Sequence, residues 1–212
     1  MFRYVATLLY AFSAVALGAT GNISKVNGSI DVDAGQQAGD VSTVNGSISI
    51  GSAAQVRDVE TVNGSVRIDD RAAARAVETV NGAVTVGEGV TVSEGVSAVN
   101  GKLTLRRGAR VDGRLENVNG DFRLEGATVR GGIETVNGDV FVGSGSRVEQ
   151  GIHVKKNRGW SWNKSSRPSI TIESGATVEG PLVFEREVDL YVGSSAVIGP
   201  VEGVAPVRHS LP

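Results

Sequence analysis

The segment Thr43-Val44-Asn45-Gly46-Ser47-Ile48-Ser49-Ile50 returns further along the chain as Thr61-Val62-Asn63-Gly64-Ser65-Val66-Arg67-Ile68. Its central tripeptide Val-Asn-Gly occurs seven times, and consecutive copies are 18 or 19 residues apart. A period this short has no room for two helices or for a strand followed by a helix, and it matches one turn of a β-solenoid. The repeat therefore predicts a rod of stacked turns, each of which is called a coil below. The copies begin at Val26, Val44, Val62, Val80, Val99, Val118 and Val136.

Apolar and polar residues alternate within each coil, as in strands that bury one face. The sequence thus predicts an all-β fold, a single-stranded parallel β-helix with about 18 residues per coil. In the coil that starts at Val62, the residues expected to point inward are Val62, Val66, Ile68, Ala72, Ala74 and Val77. Equivalent residues of successive coils are expected to stack in internal files, one of which is Ile30, Ile48, Val66, Val84, Leu103, Phe122 and Val140.

The Asn-Gly step is expected to turn the same corner in every coil, because glycine reaches a positive φ without a Cβ clash and asparagine tolerates it. Asn-Gly also favours antiparallel hairpins, but hairpins have no reason to keep a constant period. In a parallel stack the asparagine side chains lie about 4.8 Å apart and can bond along the axis as a structural ladder. The predicted ladder residues are Asn27, Asn45, Asn63, Asn81, Asn100, Asn119 and Asn137.

Coils continue after the last Val-Asn-Gly tripeptide. Two Val-x-Gly-Pro steps, which end at Pro181 and Pro200, indicate two further coils after Ser169, and these bring the expected total to about nine. The coils that start at Val80 and Val99 are one residue longer than the others. Their extra residue predicts a bulge in the last segment of the coil.

The first 19 residues have the pattern of a secretory signal peptide: Arg3 supplies a positive start, residues 4–17 form an apolar run, and Ala19 lies among small residues that suit cleavage. A membrane anchor is the alternative, but the run is shorter than the roughly 20 residues that span a bilayer. The chain has no cysteine to carry a lipid. We expect export to the periplasm or the cell exterior, with no transmembrane anchor after cleavage. The predicted organisation is a signal peptide (1–19), a β-solenoid (20–203) and a C-terminal tail (204–212).

One long insertion, residues 155–168, interrupts the solenoid. It holds both tryptophans of the chain and five positive charges without a negative one. Insertions in solenoids form loops on one face, often the binding face, and tryptophan beside lysine or arginine can stack on sugar rings and pair with anionic groups. The alternative is that the tryptophans pack on the rod and the charges solvate the loop. The candidate ligand-binding residues are Lys155, Lys156, Arg158, Trp160, Trp162, Lys164 and Arg167.

Patterns of catalytic or metal-binding residues are missing from the sequence. Its two histidines, His153 and His209, are far apart, there is no cysteine nucleophile, and no Gly-rich phosphate loop precedes a helix. We therefore expect a protein that is not an enzyme and that needs no cofactor and no metal. The formal net charge of -2 gives no indication of nucleic-acid binding.

The N-terminal end of the rod is expected to be uncovered after cleavage, because Ile23 precedes Val26 as Val41 precedes Val44, already in coil register. An uncovered coil presents unpaired backbone groups and an open apolar layer, which terminal capping repeats normally prevent. We therefore expect a homo-oligomer that forms through the coil ends, as a dimer or a filament.

Two families resemble parts of this pattern. The repeated Thr-Val-Asn-Gly-Ser-Ile/Val unit, over residues 21–154, resembles the bacterial adhesins with β-strand repeats. The units at 126–129 and 174–180, both containing Gly-Ala-Thr-Val, are similar to bactofilins, which are polymer-forming solenoids with right-handed coils. The resemblances imply a scaffold or surface role and no catalytic residues. A right-handed winding is expected, although apolar residues at steps of six also fit the left-handed hexapeptide pattern. Bactofilins are typically cytoplasmic, whereas this chain starts with an export signal.

The sequence therefore predicts an exported, non-enzymatic structural or adhesive β-solenoid of the bacterial cell envelope that self-associates through its coil ends. An alternative is a module that binds a cell-surface glycan or another envelope polymer through the loop from Trp160 to Arg167. A remote alternative is an acyltransferase of the hexapeptide type, which export would separate from acyl-CoA.

Overall fold

A computed structural model of the chain describes residues 21–156 and 167–210. Within these ranges every regular element is a β-strand, and the paired strands run parallel. They wind into a β-solenoid of about nine turns, with equivalent strands about 19 residues apart. The predicted all-β, parallel β-helix is therefore confirmed.

Each coil contributes one strand to sheet A and one to sheet B, and seven coils also contribute a strand to sheet C; the three sheets form the three sides of the rod. In the first two coils the third side has only isolated bridges, at Gln37 and Gln55. Sheet A contains Ile23–Asn27, Val41–Asn45, Asp58–Asn63, Ala76–Asn81, Val96–Asn100, Leu115–Asn117, Ile133–Thr135, Ile152–Val154, Leu182–Phe184 and Val201–Gly203. Sheet B contains Ile30–Val32, Ile48–Ile50, Val66–Ile68, Val84–Val86, Leu103–Leu105, Phe122–Leu124, Val140–Val142, Ser169–Ile172, Asp189–Val192 and Val207–Ser210. Sheet C contains Ala73–Ala74, Thr91–Val92, Arg110–Val111, Thr128–Val129, Arg147–Val148, Thr177–Val178 and Val197–Ile198.

The core consists of the stacked inward files of the three sheets. In sheet B, Ile48 pairs in register with Val66, and Val66 pairs with Val84. Their side chains are almost completely buried. The apolar side chain of each coil thus packs on its equivalents above and below, which stabilises the rod by removing apolar surface from water.

The Val-Asn-Gly valine does not point inward, contrary to the expectation for Val62. The buried residue is the one before it, Thr61, whereas Val62 is only half-buried on the outer side of sheet A. Successive strand residues point to opposite faces of the sheet. Val59 is buried as well, so Thr61, two residues later, faces the core and Val62 faces outward. The tripeptide therefore marks the end of the sheet A strand and not a residue of the core.

Buried threonine hydroxyls tie neighbouring coils together at this point. Thr43 donates to the Gly28 carbonyl oxygen at 3.1 Å, and Thr61 donates in the same way to the Gly46 oxygen at 3.0 Å. Thr79 repeats the bond one coil later. Because a buried hydroxyl without a partner is costly, the bond to the preceding coil explains why this file accepts threonine.

The glycine of Val-Asn-Gly is needed mainly for close stacking, not for the positive φ that we expected. Of the seven, Gly28 and Gly101 have φ in the positive range, at 107° and 148°. At Gly64 an added Cβ would lie 1.9 Å from the Gly46 carbonyl oxygen, and at Gly46 it would lie 2.2 Å from the Gly28 oxygen. The backbones of successive coils approach so closely here that only glycine fits.

A second corner, between sheets B and C, does need a positive φ. Glycines with φ between 64° and 80° hold the equivalent position in six coils, and Ala53 and Arg71 hold it in two others, with φ of 59° and 60°. The extra residue of the longer coils lies at the third corner, between sheets C and A, where Val92 precedes Val96 by one residue more than Ala74 precedes Val77. The six glycines are Gly35, Gly89, Gly108, Gly126, Gly145 and Gly175.

The segment expected to be a C-terminal tail, residues 204–212, contains part of the solenoid. Its residues Val207–Ser210 form a strand that pairs in parallel with Asp189–Val192. Sequence alternation missed this strand because Arg208 replaces the apolar residue of the inward file that Leu190 occupies one coil earlier.

Candidate functional site

An asparagine ladder runs along the corner between sheets A and B. The Nδ2 of Asn45 donates to the Oδ1 of Asn27 at 3.0 Å, and the Nδ2 of Asn63 donates to the Oδ1 of Asn45 at 2.9 Å. Four more bonds of the same direction continue through Asn81, Asn100, Asn119 and Asn137. Each of the five inner amides uses both of its polar atoms within the ladder, so this row stabilises the stack and leaves little for a ligand.

An arginine closes the ladder at its C-terminal end. Arg186 belongs to the sheet A corner two coils above Asn137, because Thr135 pairs with Val154 and Val154 pairs with Phe184. Its Nη1 donates to the Asn137 Oδ1 at 2.9 Å and to the Val136 carbonyl oxygen at 3.2 Å. The intervening corner is the place where the 155–168 insertion leaves the rod.

The structure describes three of the seven residues proposed from the sequence to bind a ligand. Lys155 forms an ion pair with Glu134, the backbone N–H of Lys156 donates to Glu185 at 3.1 Å, and Arg167 lies 3.0 Å from Glu187. The charges of Lys155 and Arg167 are therefore balanced by carboxylates of the rod. The other four lie outside the described residues: Arg158, Trp160, Trp162 and Lys164.

A groove of about 420 Å³ lies on the outer face of sheet A, beside the base of this insertion. Glycines line it at the corner between sheets C and A, where the backbones of successive coils approach closely. At Gly131 an added Cβ would lie 2.3 Å from the Gly113 carbonyl carbon, and at Gly151 it would lie 2.1 Å from the Pro181 oxygen. The other residues that line the groove are Arg114, Ile133, Glu134, Gln150, Ile152, His153, Lys155, Pro181 and Val183.

The charged groups in the groove are already paired. The Glu134 side chain is only 15% exposed and lies between Lys155 and Arg114, the latter at 3.5 Å. On the next coil His153 makes a 2.9 Å contact through Nε2 with Glu185. These pairs leave a polar surface of nearly balanced charge, which suits a neutral ligand with many hydroxyl groups better than a strongly charged one.

The outward file of Glu134 continues toward the N-terminal end of sheet A and carries further carboxylates there. Glu60 and Glu78 are half-buried and stack directly on each other. Burial and the Glu60 and Asp58 charges raise the pKa of Glu78 to about 7, and burial together with Asp58 raises the pKa of Glu60. Arg75 forms an ion pair with Asp58. The face is acidic, and part of its charge is suppressed near neutral pH.

Sheet C carries a different electrostatic pattern on its outer face, a chain of ion pairs. Asp112 lies 2.7 Å from Arg110 and 3.3 Å from Arg130 of the next coil. Arg147 continues the chain, because it contacts Glu149 at 3.8 Å and Glu179 at 2.5 Å. Arg130 also lies 3.8 Å from Glu149, so these exposed pairs, which are individually weak, form a network across four coils.

Metal binding has no support in residues 21–156 and 167–210, where histidine and acidic side chains form no group of three or more that could hold an ion. Over the same ranges no helix is long and apolar enough to cross a membrane.

Sequence reasoning missed Glu134, Glu185 and Arg186. The repeat register could have predicted the position of Glu134, because this residue lies in the same outward file as Glu60 and Glu78. Arg186 had no such signal, since its partner Asn137 is 49 residues away and the insertion hides the register between them.

Comparison with protein-family models, with curated proteins and with solved structures found no match to this chain.

Proposed function

We propose that this protein is an exported, non-enzymatic structural or adhesive rod of a bacterial cell envelope, and that copies associate through their coil ends. The observation that carries the proposal is the form of those ends. At the C-terminal coil Val197, Val204 and Val207 are 59%, 40% and 40% exposed, and the strand Val207–Ser210 is the last of sheet B. An edge strand beside exposed apolar side chains is a template for pairing with another chain.

The inward cations at the two ends favour one mode of association. Lys25 occupies the file that Thr43 occupies in the next coil, and Arg208 occupies the file of Leu190. Pairing two N-terminal ends would bring two Lys25 ammonium groups together, and pairing two C-terminal ends would do the same with Arg208. Because like charges in contact are unfavourable, these cations act against both head-to-head and tail-to-tail stacking.

Head-to-tail stacking in continuous register gives complementary contacts. The Lys25 file ends at Gly203, which has no side chain, and the neighbouring file ends at Glu202. The file that starts at Asp31 ends at His209. A second copy placed on the C-terminal coil would therefore put its Lys25 over Gly203 and beside the Glu202 carboxylate. It would also put its Asp31 over His209. A heterologous contact of this kind continues into a filament.

Sedimentation of the chain that begins at Gly21, over a wide concentration range, tests the proposal. We expect species larger than a monomer at tens of micromolar and end-to-end rods in electron micrographs. Lys25→Glu should shift the association to higher concentration because it opposes Glu202, whereas Lys102→Glu on the side of the rod should leave it unchanged. A monomer at all concentrations would rule out association through the ends.

A second candidate function is the binding of a neutral glycan at the groove beside the insertion. Its support is the groove itself, where charges are paired and polar groups of Gln150 and His153 border the apolar Val183, together with the two tryptophans of the adjacent insertion. Trp160→Ala with Trp162→Ala should abolish retention on cell-wall polysaccharide and leave sedimentation unchanged. Retention equal to that of the unmodified protein would remove this candidate.

A further inference from the structure

The seven Asn-Gly pairs are chemically the most labile positions of the chain. In such a pair the glycine nitrogen is unshielded by a Cβ and can attack the asparagine Cγ. The new N–C bond closes a five-membered imide while the bond from Cγ to Nδ2 breaks and ammonia leaves. Water then opens the imide to aspartate or isoaspartate, with no change in oxidation state.

The fold requires both residues of the reactive pair. The glycines are fixed by the close approach of consecutive coils, since an added Cβ at Gly82 or Gly138 would lie 1.9 Å from the carbonyl oxygen of the glycine below. The asparagines are fixed by the ladder, which uses both polar atoms of the five inner amides. Every coil with this corner therefore keeps a reactive pair on its surface.

In five of the pairs the attacking nitrogen is held by a hydrogen bond. The N–H of Gly46 donates to the Asn63 carbonyl oxygen at 3.1 Å, and the N–H of Gly82 donates to the Asn100 oxygen at 2.9 Å. Gly28 and Gly64 make the same bond to the coil above. Gly138 donates instead to the Thr135 hydroxyl at 3.0 Å. Attack on Cγ would first have to break this bond and rotate the peptide out of the stack.

The two remaining glycines, Gly101 and Gly120, have no acceptor for their N–H within the described parts of the chain. The cause is a local change in sheet A, where the strand Leu115–Asn117 stops before the corner. The backbone N–H of Asn119 donates to the Val99 carbonyl oxygen at 2.8 Å. In the coils below, the glycine N–H donates to the asparagine carbonyl oxygen of the coil above, and Gly101 does not make this bond.

We propose that Asn100 and Asn119 are the sites at which this protein is modified by spontaneous deamidation, and that the other five Asn-Gly pairs are protected by their coil. Conversion of Asn119 removes the Nδ2 that donates to the Asn100 Oδ1 at 3.0 Å and replaces it with a carboxylate oxygen. Two acceptors then face each other, so the modification breaks the ladder at one rung.

Incubation of the folded protein at pH 8.5 and 37 °C, followed by tryptic digestion and mass spectrometry, tests the assignment. Modification at Asn100 and Asn119 should be faster than at Asn45, Asn63 and Asn81 by about fivefold or more, the rate equivalent of one net hydrogen bond. The same incubation in urea is the control, and it should reduce this difference because all seven pairs then lose their coil contacts.

Two results would overturn the proposal. One is faster modification at Asn45, Asn63 or Asn81 than at Asn100 and Asn119 in the folded protein. The other is intact Asn100 and Asn119 after a time in which the unfolded chain is extensively converted. Because the comparison is made within one molecule, it does not depend on the oligomeric state or on any ligand.

Discussion

Arg186 and Asn137 are 49 residues apart in sequence, yet the arginine Nη1 donates to the asparagine Oδ1 at 2.9 Å. The bond closes the asparagine ladder where the insertion interrupts the repeat. Two unlike parts of the chain, the tagged coils and the untagged C-terminal coils, are joined by this contact along one corner of the rod.

Replacing Arg186 with alanine should weaken the C-terminal coils by about 1.5 kcal/mol, the low end for hydrogen bonds from a charged donor. Arg186→Lys should recover little, because a lysine cannot donate to the Asn137 and Val136 oxygens with the same planar geometry. Amide hydrogen exchange in Leu182–Phe184 is the measurement, and exposed Arg106→Ala is the control. Unchanged exchange in Arg186→Ala would show that the contact is dispensable.

We expect Asn117 to be a stability defect in the inward file, where four other coils have threonine. Its side chain is 2% exposed, and within the described residues its Oδ1 has no hydrogen-bond partner. Asn117→Thr should raise the free energy of unfolding by about 1 kcal/mol because it removes this unpaired buried acceptor. The reciprocal change, Thr61→Asn, should lower it by a similar amount. Urea denaturation of the two variants checks both signs.

Ala53 and Arg71 are strained at the corner between sheets B and C. Their φ values of 59° and 60° match those of the glycines that hold the same corner in other coils. Each change to glycine should stabilise the protein by about 1 kcal/mol, since relief of the left-handed strain outweighs the entropy lost on fixing glycine. Gly89→Ala is the matched test in the opposite direction and should destabilise by about as much.

Protonation of Glu78 should make the rod more stable in mild acid. Its pKa is raised to about 7 in the folded protein, from an ordinary value of 4.5, so the folded chain binds more protons than the unfolded chain between these values. Stability should therefore fall as the pH rises from about 4.5 through about 7. The melting temperature of Glu78→Gln should exceed that of the unmodified protein at about pH 8 and depend less on pH.

Exposed Glu88 provides the matched control for that titration, because it lies at a corner away from the stacked Glu60 and Glu78. Glu88→Gln should leave the pH dependence of the melting temperature as it is. A Glu78→Gln protein that loses stability between about pH 5 and about pH 8 as steeply as the unmodified chain would contradict the assignment.

The sequence predicted the coil and its stacked files because the period and the alternation are local properties that repeat. It misplaced Val62 because Thr61 and Val62 are adjacent and either could be the buried residue of the alternation. The structure buries Thr61, in step with Val59, and satisfies its hydroxyl with a bond to the Gly46 oxygen. It also gave the wrong main reason for the glycines, since the approach of Gly64 to Gly46 is a contact between coils. The groove depends on such contacts as well, and so was not predictable.

Each Val-Asn-Gly coil adds one parallel layer to the rod, so distances between equivalent residues should grow with the number of layers between them. The chain has no cysteine, so spin labels can be attached at chosen pairs without background. One outward file of sheet B contains Ser49, Arg123 and Thr171. Arg123 lies four layers above Ser49, and Thr171 lies two layers above Arg123. Pulsed electron spin resonance should give label distances of about 19 Å for Ser49 with Arg123 and about 29 Å for Ser49 with Thr171, at about 4.8 Å per layer. Equal distances for the two pairs, or a shorter one for Thr171, would contradict the stack.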